Sequence, residues 1–272
     1  MIQLLAADLD ETLLTTDLQV GQYTIQKIQD MQRQGKYFVC ATGRGFLTVK
    51  PTLLQIGNDQ KADTYTISLN GAIVTENKDN RILYCEGMEH DLVRQLYAIG
   101  LRYDVCIHVY TATKLYIYQM NEDEVDFLLG RQTYEIVDWQ NLDSLKNETI
   151  IKILYENTNY AYLKSIEQAI PLSLSSQVDV SFSSNRYIEF NKKGVNKGHG
   201  LRFLCDYLHI PLAHSAAIGD NFNDLAMIQC AGFGFGVKNT HPDMLSYLDV
   251  QLPYTNNEDA VGHCIDEYIL KN

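Results

Sequence analysis

"LLAADLDETLL", Leu4 to Leu14, is an apolar run that ends in two aspartates one residue apart, Asp8 and Asp10. Unbroken apolar character over a short run reads as a strand buried on both faces, the habit of parallel sheets covered by helices. Two carboxylates at the end of such a strand repel each other. The repulsion has a purpose if one carboxylate holds a cation and attacks an electrophile while the other carries a proton. The plainer reading is that both aspartates cap the next turn, a common post for Asp after a strand.

Outward from this run, strands and helices alternate. Ile25, Ile28 and Met31 recur at helical spacing between Gly21 and Gln34, and Gly35 follows as a C-terminal cap. "KYFVCAT" reads as a second strand, the segment after Gly45 as a helix interrupted near Pro51, and "TYTISL" as a third strand. This βαβαβ rhythm predicts an α/β fold with a Rossmann-like parallel sheet, whose ligands sit beyond the carboxyl ends of the strands. From about Arg81 to Arg186 the texture changes to short β-type runs ("VCIHVY", "KLYIYQM", "TIIKILYE", "VDVSFSS") with two amphipathic helices. That pattern predicts an inserted α+β domain over 81–186 between two core segments, 1–80 and 187–272. The βα alternation then resumes with "KGHGLRFLCDYLHI", "SAAIG", "NDLAMIQCA", the glycine-rich "GFGFGV" and a last helix in "EDAVGHCIDEYIL".

Composition narrows the function. With 272 residues, 46% of them hydrophobic, the chain can bury a substantial core, and its length suits two modest domains or one large one. No signal-like start is present, and no run approaches the roughly 18 to 20 apolar residues of a membrane span, so a cytoplasmic protein without a membrane partner is expected. The six cysteines are scattered without CxxC or zinc-like spacing, which predicts reduced thiols. A net charge of −12 argues against a nucleic-acid surface, since phosphate backbones are bound by clustered Lys and Arg. A small anionic substrate remains compatible, because one cation and a few donors reverse the potential inside a pocket.

Three further segments carry chemistry. "ATGR" places Thr42 and Gly43 at the end of the second strand, where a hydroxyl and backbone N–H groups suit a phosphoryl oxygen; Thr-Gly is also an ordinary turn. "NKGHG" puts Lys197 at a helix start, where a cation gains nothing from the helix dipole: it is either a solvated side chain or an anion binder. "IGDNFND" sets Asp220, Asn223 and Asp224 directly after an apolar strand, which reads as a metal and ligand cluster more readily than as a turn.

In this order, "DLDET", "TGR", Lys197 and "GDNFND" resemble the four motifs of the haloacid dehalogenase superfamily, and specifically its Cof-type, type IIB phosphatases. "NGA" (Asn70 to Ala72) is similar to the family's segment before the cap, and the inserted region lies where the type II cap occurs. The resemblance implies a phosphatase acting on small phosphorylated metabolites such as sugar phosphates, with Asp8 as nucleophile, an aspartyl-phosphate intermediate, and Asp10 as general acid and then base. It implies Mg²⁺ held by Asp8, the Asp10 backbone carbonyl and Asp220. Phosphoryl oxygens would be bound by Thr42, Gly43, Lys197 and Asn223, with Thr12, Arg44 and Asp224 in support. The inserted domain would act as a lid over the part of the substrate beyond the phosphate. "GFGFGVKNT" departs from the family's "VAMGNA"-like stretch, and although Asn239 matches the common Asn, no role is carried over to that segment.

Other residues have bland readings. Tyr103, Tyr110, Tyr116 and Tyr118 read as half-buried sheet residues before they read as a stacking platform. His199 and His214 lack a second ligand at metal spacing. Arg44 either binds substrate or pairs with a carboxylate. A phosphomutase would use the same residues, and a sensor of phosphorylated metabolites would need a broken motif; none of the four is broken.

Overall fold

The structure is a computed structural model that describes residues 1–130 and 132–271. The chain forms two compact units, Met1–Tyr84 with Val195–Asn272, and Cys85–Gly194. The first runs β1 (Leu4–Ala7), α1 (Gln22–Arg33), β2 (Tyr37–Ala41), α2 (Lys50–Ile56), β3 (Tyr65–Ser68), β4 (Ile73–Glu76) and β5 (Arg81–Cys85). The second runs α3 (His90–Gly100), β6 (Cys106–Thr111), β7 (Leu115–Tyr118), α4 (Glu122–Leu128), β8 (Glu135–Val137), β9 (Ile150–Glu156), α5 (Tyr160–Ala169), α6 (Leu172–Ser175), β10 (Val178–Ser183) and β11 (Tyr187–Lys192). The chain returns to the first unit with α7 (Lys197–Tyr207), β12 (Ser215–Gly219), α8 (Leu225–Cys230), β13 (Phe233–Gly236), β14 (Val250–Gln251) and α9 (Ala260–Cys264).

The first unit is an eight-stranded sheet in the order β14-β13-β12-β1-β2-β3-β4-β5, parallel from β14 to β3. All four residues of β1 are buried because both faces are covered. Leu5 and Ala7 join Phe38, Cys40 and Ile218 in a core with α1 and α9, while Leu4 and Ala6 join Val39, Ala41 and Ala217 in a core with α7 and α8. Alternation along each strand thus feeds two layers of helix. β4 turns back antiparallel on β3, an addition the βα rhythm did not predict. The helical segment after Gly45 changes character near Pro51, as the sequence suggested: a 3-10 turn over Phe46–Val49 gives way to α2, and Pro51 sits in the first turn of α2, where its missing N–H is tolerated. Gly35 adopts φ +73° directly after α1, the left-handed cap expected there.

In the second unit, a six-stranded sheet has the order β10-β11-β9-β6-β7-β8 and is antiparallel apart from the β7–β8 pair. Tyr187–Lys192 pairs with both β10 and β9, which is why this unit extends to Gly194 and not only to Arg186. One sheet face, with Ile107, Val109, Ile153, Tyr155, Ile188 and Phe190, packs under α3 and α5. Charged groups are buried in this unit too, and they are paired, as burial requires. Glu124 on α4 accepts from the Tyr187 hydroxyl (2.7 Å), Arg186 lies 3.0 Å from Glu156, and Lys152 lies 2.8 Å from Glu189. Tyr116 is buried and Tyr110 and Tyr118 are half-buried on strands, as their spacing suggested, whereas the half-buried Tyr103 lies in the turn after α3 and not on a strand. The six cysteines are free thiols. Among the described residues no helix is long and apolar enough to cross a membrane.

Candidate active site

In the strand order, β1 lies between β12 and β2, so the connections leave it in opposite directions. That reversal opens a crevice at the carboxyl ends of the three strands. Asp8 follows β1, Thr42 follows β2 and Asp220 follows β12, so the three arrive at neighbouring strand ends.

Lys197, the first residue of α7, is fully buried and donates to Asp8 Oδ1 (2.5 Å) and Asp224 Oδ1 (2.6 Å). It is therefore no solvated side chain. Asp224 is also fully buried, and its Oδ2 accepts from the backbone N–H groups of Asp220 (3.0 Å) and Asn221 (3.3 Å), which folds the loop after β12 around it. The close fit explains Gly219: a Cβ there would lie 2.4 Å from an Asp224 carboxylate oxygen. Thr12 donates to Asp220 Oδ1 at 3.0 Å. One carboxylate oxygen from each of Asp8, Asp220 and Asp224 falls within 4.8 Å of the others.

This packing shifts the acids. Burial, then the neighbouring Asp224, push Asp8 up to about 8 despite the ammonium beside it. Burial and Asp224 push Asp220 up to about 6. Burial alone would lower Lys197, but Asp224 and Asp8 override it and hold the ammonium charged well above its usual range. Three carboxylates share one ammonium, so the cluster is short of positive charge. A donor set of hard oxygens with that deficit fits a divalent cation such as Mg²⁺.

Asp10 takes a different course. The turn Leu9–Leu13 carries it at φ −74°, ψ 130°, followed by Glu11 in the left-handed region at φ 59°. Its half-exposed carboxylate is gripped by both arms of the Arg44 guanidinium, Nε lying 2.9 Å from Oδ2. Of the two readings open for Arg44, the structure shows the carboxylate pair. Thr42 is buried and its Oγ1 accepts from the Arg44 backbone N–H (3.0 Å), which leaves its hydroxyl hydrogen to donate elsewhere. Gly43 is next to Asn70, whose side-chain oxygen would lie 3.2 Å from a Cβ at that position and is itself buried without a hydrogen-bond partner. Asn223 is exposed on the loop between Asp220 and Asp224. His199 is bonded to the Tyr84 hydroxyl (2.7 Å), away from any metal cluster among the described residues.

The family model described as haloacid dehalogenase-like hydrolase matches residues 5–265. The chain belongs to that family. It is a Cof-type member and a phosphatase-type hydrolase. It is 28% identical over 280 residues to the Buchnera aphidicola protein BU028/BU029, covering 100% of this chain and 98% of the relative. Phosphatase YwpJ of Bacillus subtilis is 26% identical over 292 residues, covering 96% of this chain and 98% of its own. The solved structure of TM0651 from Thermotoga maritima superposes with a TM-score of 0.86 at 24% identity, covering 98% and 97% of the two chains. The likeness in structure confirms the α/β fold.

Sequence reasoning missed the residues that hold the Asp10 turn from the far end of the chain. The Asn239 amide donates to the Glu11 carbonyl (2.8 Å), and the Asn256 amide donates to the Leu14 carbonyl (2.9 Å). Asn239 matched a common family residue without a role, and nothing local marks Asn256.

Proposed function

We propose that this phosphatase hydrolyses small phosphorylated metabolites, sugar phosphates or related monoesters, through a phosphorylated Asp8. A buried carboxylate at the switch point of a parallel sheet, held 2.5 Å from a fully buried ammonium, is the observation that carries this reading. Lys197 fixes one Asp8 oxygen and leaves the carboxylate aimed out of the strand end. Asp8 attacks phosphorus and the ester oxygen departs, taking a proton from Asp10. Asp10 then accepts a proton from a water that attacks the phosphoryl group, which frees Asp8 and inorganic phosphate. Lys197, the Thr42 hydroxyl and the Gly43 amide neutralise and orient the phosphoryl oxygens, the main demand of phosphoryl transfer, and Asn223 assists them. The Asp8 and Asp220 carboxylates and the Asp10 carbonyl would hold Mg²⁺, which supplies charge neutralisation at the phosphoryl group when bound. Asp224 positions Lys197 and the loop, and Thr12 steadies Asp220. The unit Cys85–Gly194 supplies none of these residues, and we assign it the choice of substrate.

The test is to quench turnover with acid and analyse the peptide carrying Asp8 by mass spectrometry. A phosphate adduct on that peptide, absent from Asp8→Asn, supports the reading; Asp8→Asn should also stop phosphate release. Full turnover by Asp8→Asn would end it.

A further inference from the structure

Asp10 sits on a turn that the backbone does not choose by itself. The turn Leu9–Leu13 is closed by Leu13 N–H to the Asp8 carbonyl (3.2 Å) and Leu14 N–H to the Leu9 carbonyl (2.8 Å), and between these bonds Asp10 and Glu11 leave helical geometry. Glu11 has φ 59°, a conformation that a residue with a Cβ keeps only when its surroundings insist on it. The surroundings come from more than 220 residues further along the chain. Asn239 donates to the Glu11 carbonyl, at the strained residue itself. The side-chain oxygen of Asn239 accepts from the backbone N–H of Asn256 (3.1 Å). Asn256 is buried and donates to the Leu14 carbonyl, at the end of the turn. Asn257 continues the series by accepting from the Thr16 backbone N–H (2.9 Å).

The same short segment also grips the neighbouring loop. Thr240 Oγ1 donates to the Val237 carbonyl (2.7 Å) and lies 3.3 Å from the Gly219 carbonyl, and the His241 N–H donates to the Asp220 carbonyl (2.8 Å). Residues 239 to 241 therefore touch both the turn that carries Asp10 and the loop that begins at Asp220.

We propose that Asn239 and Asn256 are positioning residues for Asp10: they hold its turn by the Glu11 and Leu14 carbonyls and lock it in register with the Asp220 loop. This rests on the reading of Asp10 as proton carrier. The segment that departs from the family pattern around "GVKNT" thereby gains a role, as the spacer between the two loops of the site. Neither asparagine touches substrate. Their effect passes through the aim of the Asp10 carboxylate, so it falls on the step in which the ester oxygen takes its proton.

The experiment uses the full chain with Asn239→Asp and Asn256→Asp, which lose the amide donor but keep size, and a two-state melt of each variant confirms that it is folded. Hydrogen exchange is followed in a peptide spanning residues 8–14 and in one from α5. Turnover is followed for an alkyl phosphate and for an activated aryl phosphate, whose leaving group needs little protonation. Both variants should speed exchange at Leu13 and Leu14 and leave α5 unchanged. The alkyl ester should lose roughly tenfold or more in kcat with KM nearly constant, within the range that a misplacement of about 1 Å produces, and the aryl ester should be largely spared. Asn239→Gln, which restores a donor on a longer arm, should recover part of the loss. Unchanged exchange in residues 8–14, or equal loss for both esters, overturns the proposal. If Asp10→Asn itself treats the two esters alike, the proton-carrier reading fails separately, and the exchange data still decide whether the asparagines hold the turn.

Discussion

Replacing Lys197 by Met removes one charge from a site where, among the described residues, no other ammonium pairs with Asp8, Asp220 or Asp224. The side chain is fully buried between Asp8 and Asp224, and Met keeps most of its length and apolar stem. Three carboxylates then face one another without a cation, and removing one partner of a buried pair costs about 3–5 kcal/mol. In a chain of this size each kcal/mol moves the melting temperature by roughly 2–4 °C, so the metal-free variant should melt on the order of 6–20 °C below the parent at pH 8. The sign of the pH dependence follows from Asp8. A carboxyl whose folded pKa is raised lends its full stability below its unfolded value of 3.8, and that stability is lost as pH rises toward the folded value, about 8 here. Lys197 is one of the groups that hold the Asp8 value down, so its removal pushes the carboxyl further up. Asp8 keeps its proton in both proteins well below pH 8, so the gap between parent and variant should widen as pH rises through about 8, from pH 7 to pH 9.5. Calorimetry in EDTA at the two pH values measures this, and kcat/KM with Mg²⁺ should fall in the same variant. Lys197→Arg restores the charge and some stability but little activity, because a planar fork does not replace a compact ammonium. A pH-independent loss below about 1 kcal/mol, the behaviour of an exposed ion pair, would refute the reasoning.

Two further outcomes are expected. Asp8 and Asp220 hold protons up to about 8 and about 6, so the parent in EDTA should lose stability as pH rises from 6 to 8, by at most about 1.4 kcal/mol per pH unit for each proton released. Mg²⁺ bound at these acids would replace those protons, so the rise in melting temperature that it produces should be larger at pH 8 than at pH 6; a shift independent of pH would show that the cation does not bind there. Exchanging Cys85–Gly194 for the matching unit of a relative, with folding confirmed, should reorder substrates by kcat/KM while slow hydrolysis of a small generic ester and the Asp8 requirement persist. An unchanged order would place specificity in the first unit.

Much of the site was legible because it is built from strand ends. A parallel sheet with alternating crossovers puts the carboxyl ends of successive strands on one edge, so identifying "LLAAD", "YFVCAT" and "SAAIGD" as strands already brings Asp8, Thr42 and Asp220 close together. Local pattern could not reveal partners that meet only in the folded chain. Arg44 could not be assigned to Asp10 from sequence, since a guanidinium 34 residues away pairs with a carboxylate only once both loops are placed. Asn239 and Asn256 lie 228 and 242 residues from the carbonyls they bind, and an isolated asparagine reads as a turn residue wherever it stands. The extent of the inserted unit was misjudged for a related reason. Tyr187–Lys192 follows a turn and looks like the return of the core, and only its pairing with β9 and β10 shows otherwise.

The repulsion between Asp8 and Asp10 is relieved by separation as much as by compensation. Asp8 is buried against the Lys197 ammonium that it shares with Asp224, whereas Asp10 is half-exposed and held by Arg44, so the two carboxylates face different cations in different solvent environments. The left-handed Glu11 follows directly after Asp10 and bends the chain so that a spacing of two residues does not force both acids onto one cation. Desolvation raises the Asp8 carboxyl, so a divalent cation bound there would favour its charged form, while the Asp10 carboxylate is half-exposed beside Arg44. A turn that merely capped the strand would need neither the strained residue nor the distant asparagines. They keep the two carboxylates in different surroundings, which is the difference that the proposed nucleophile and proton carrier would use.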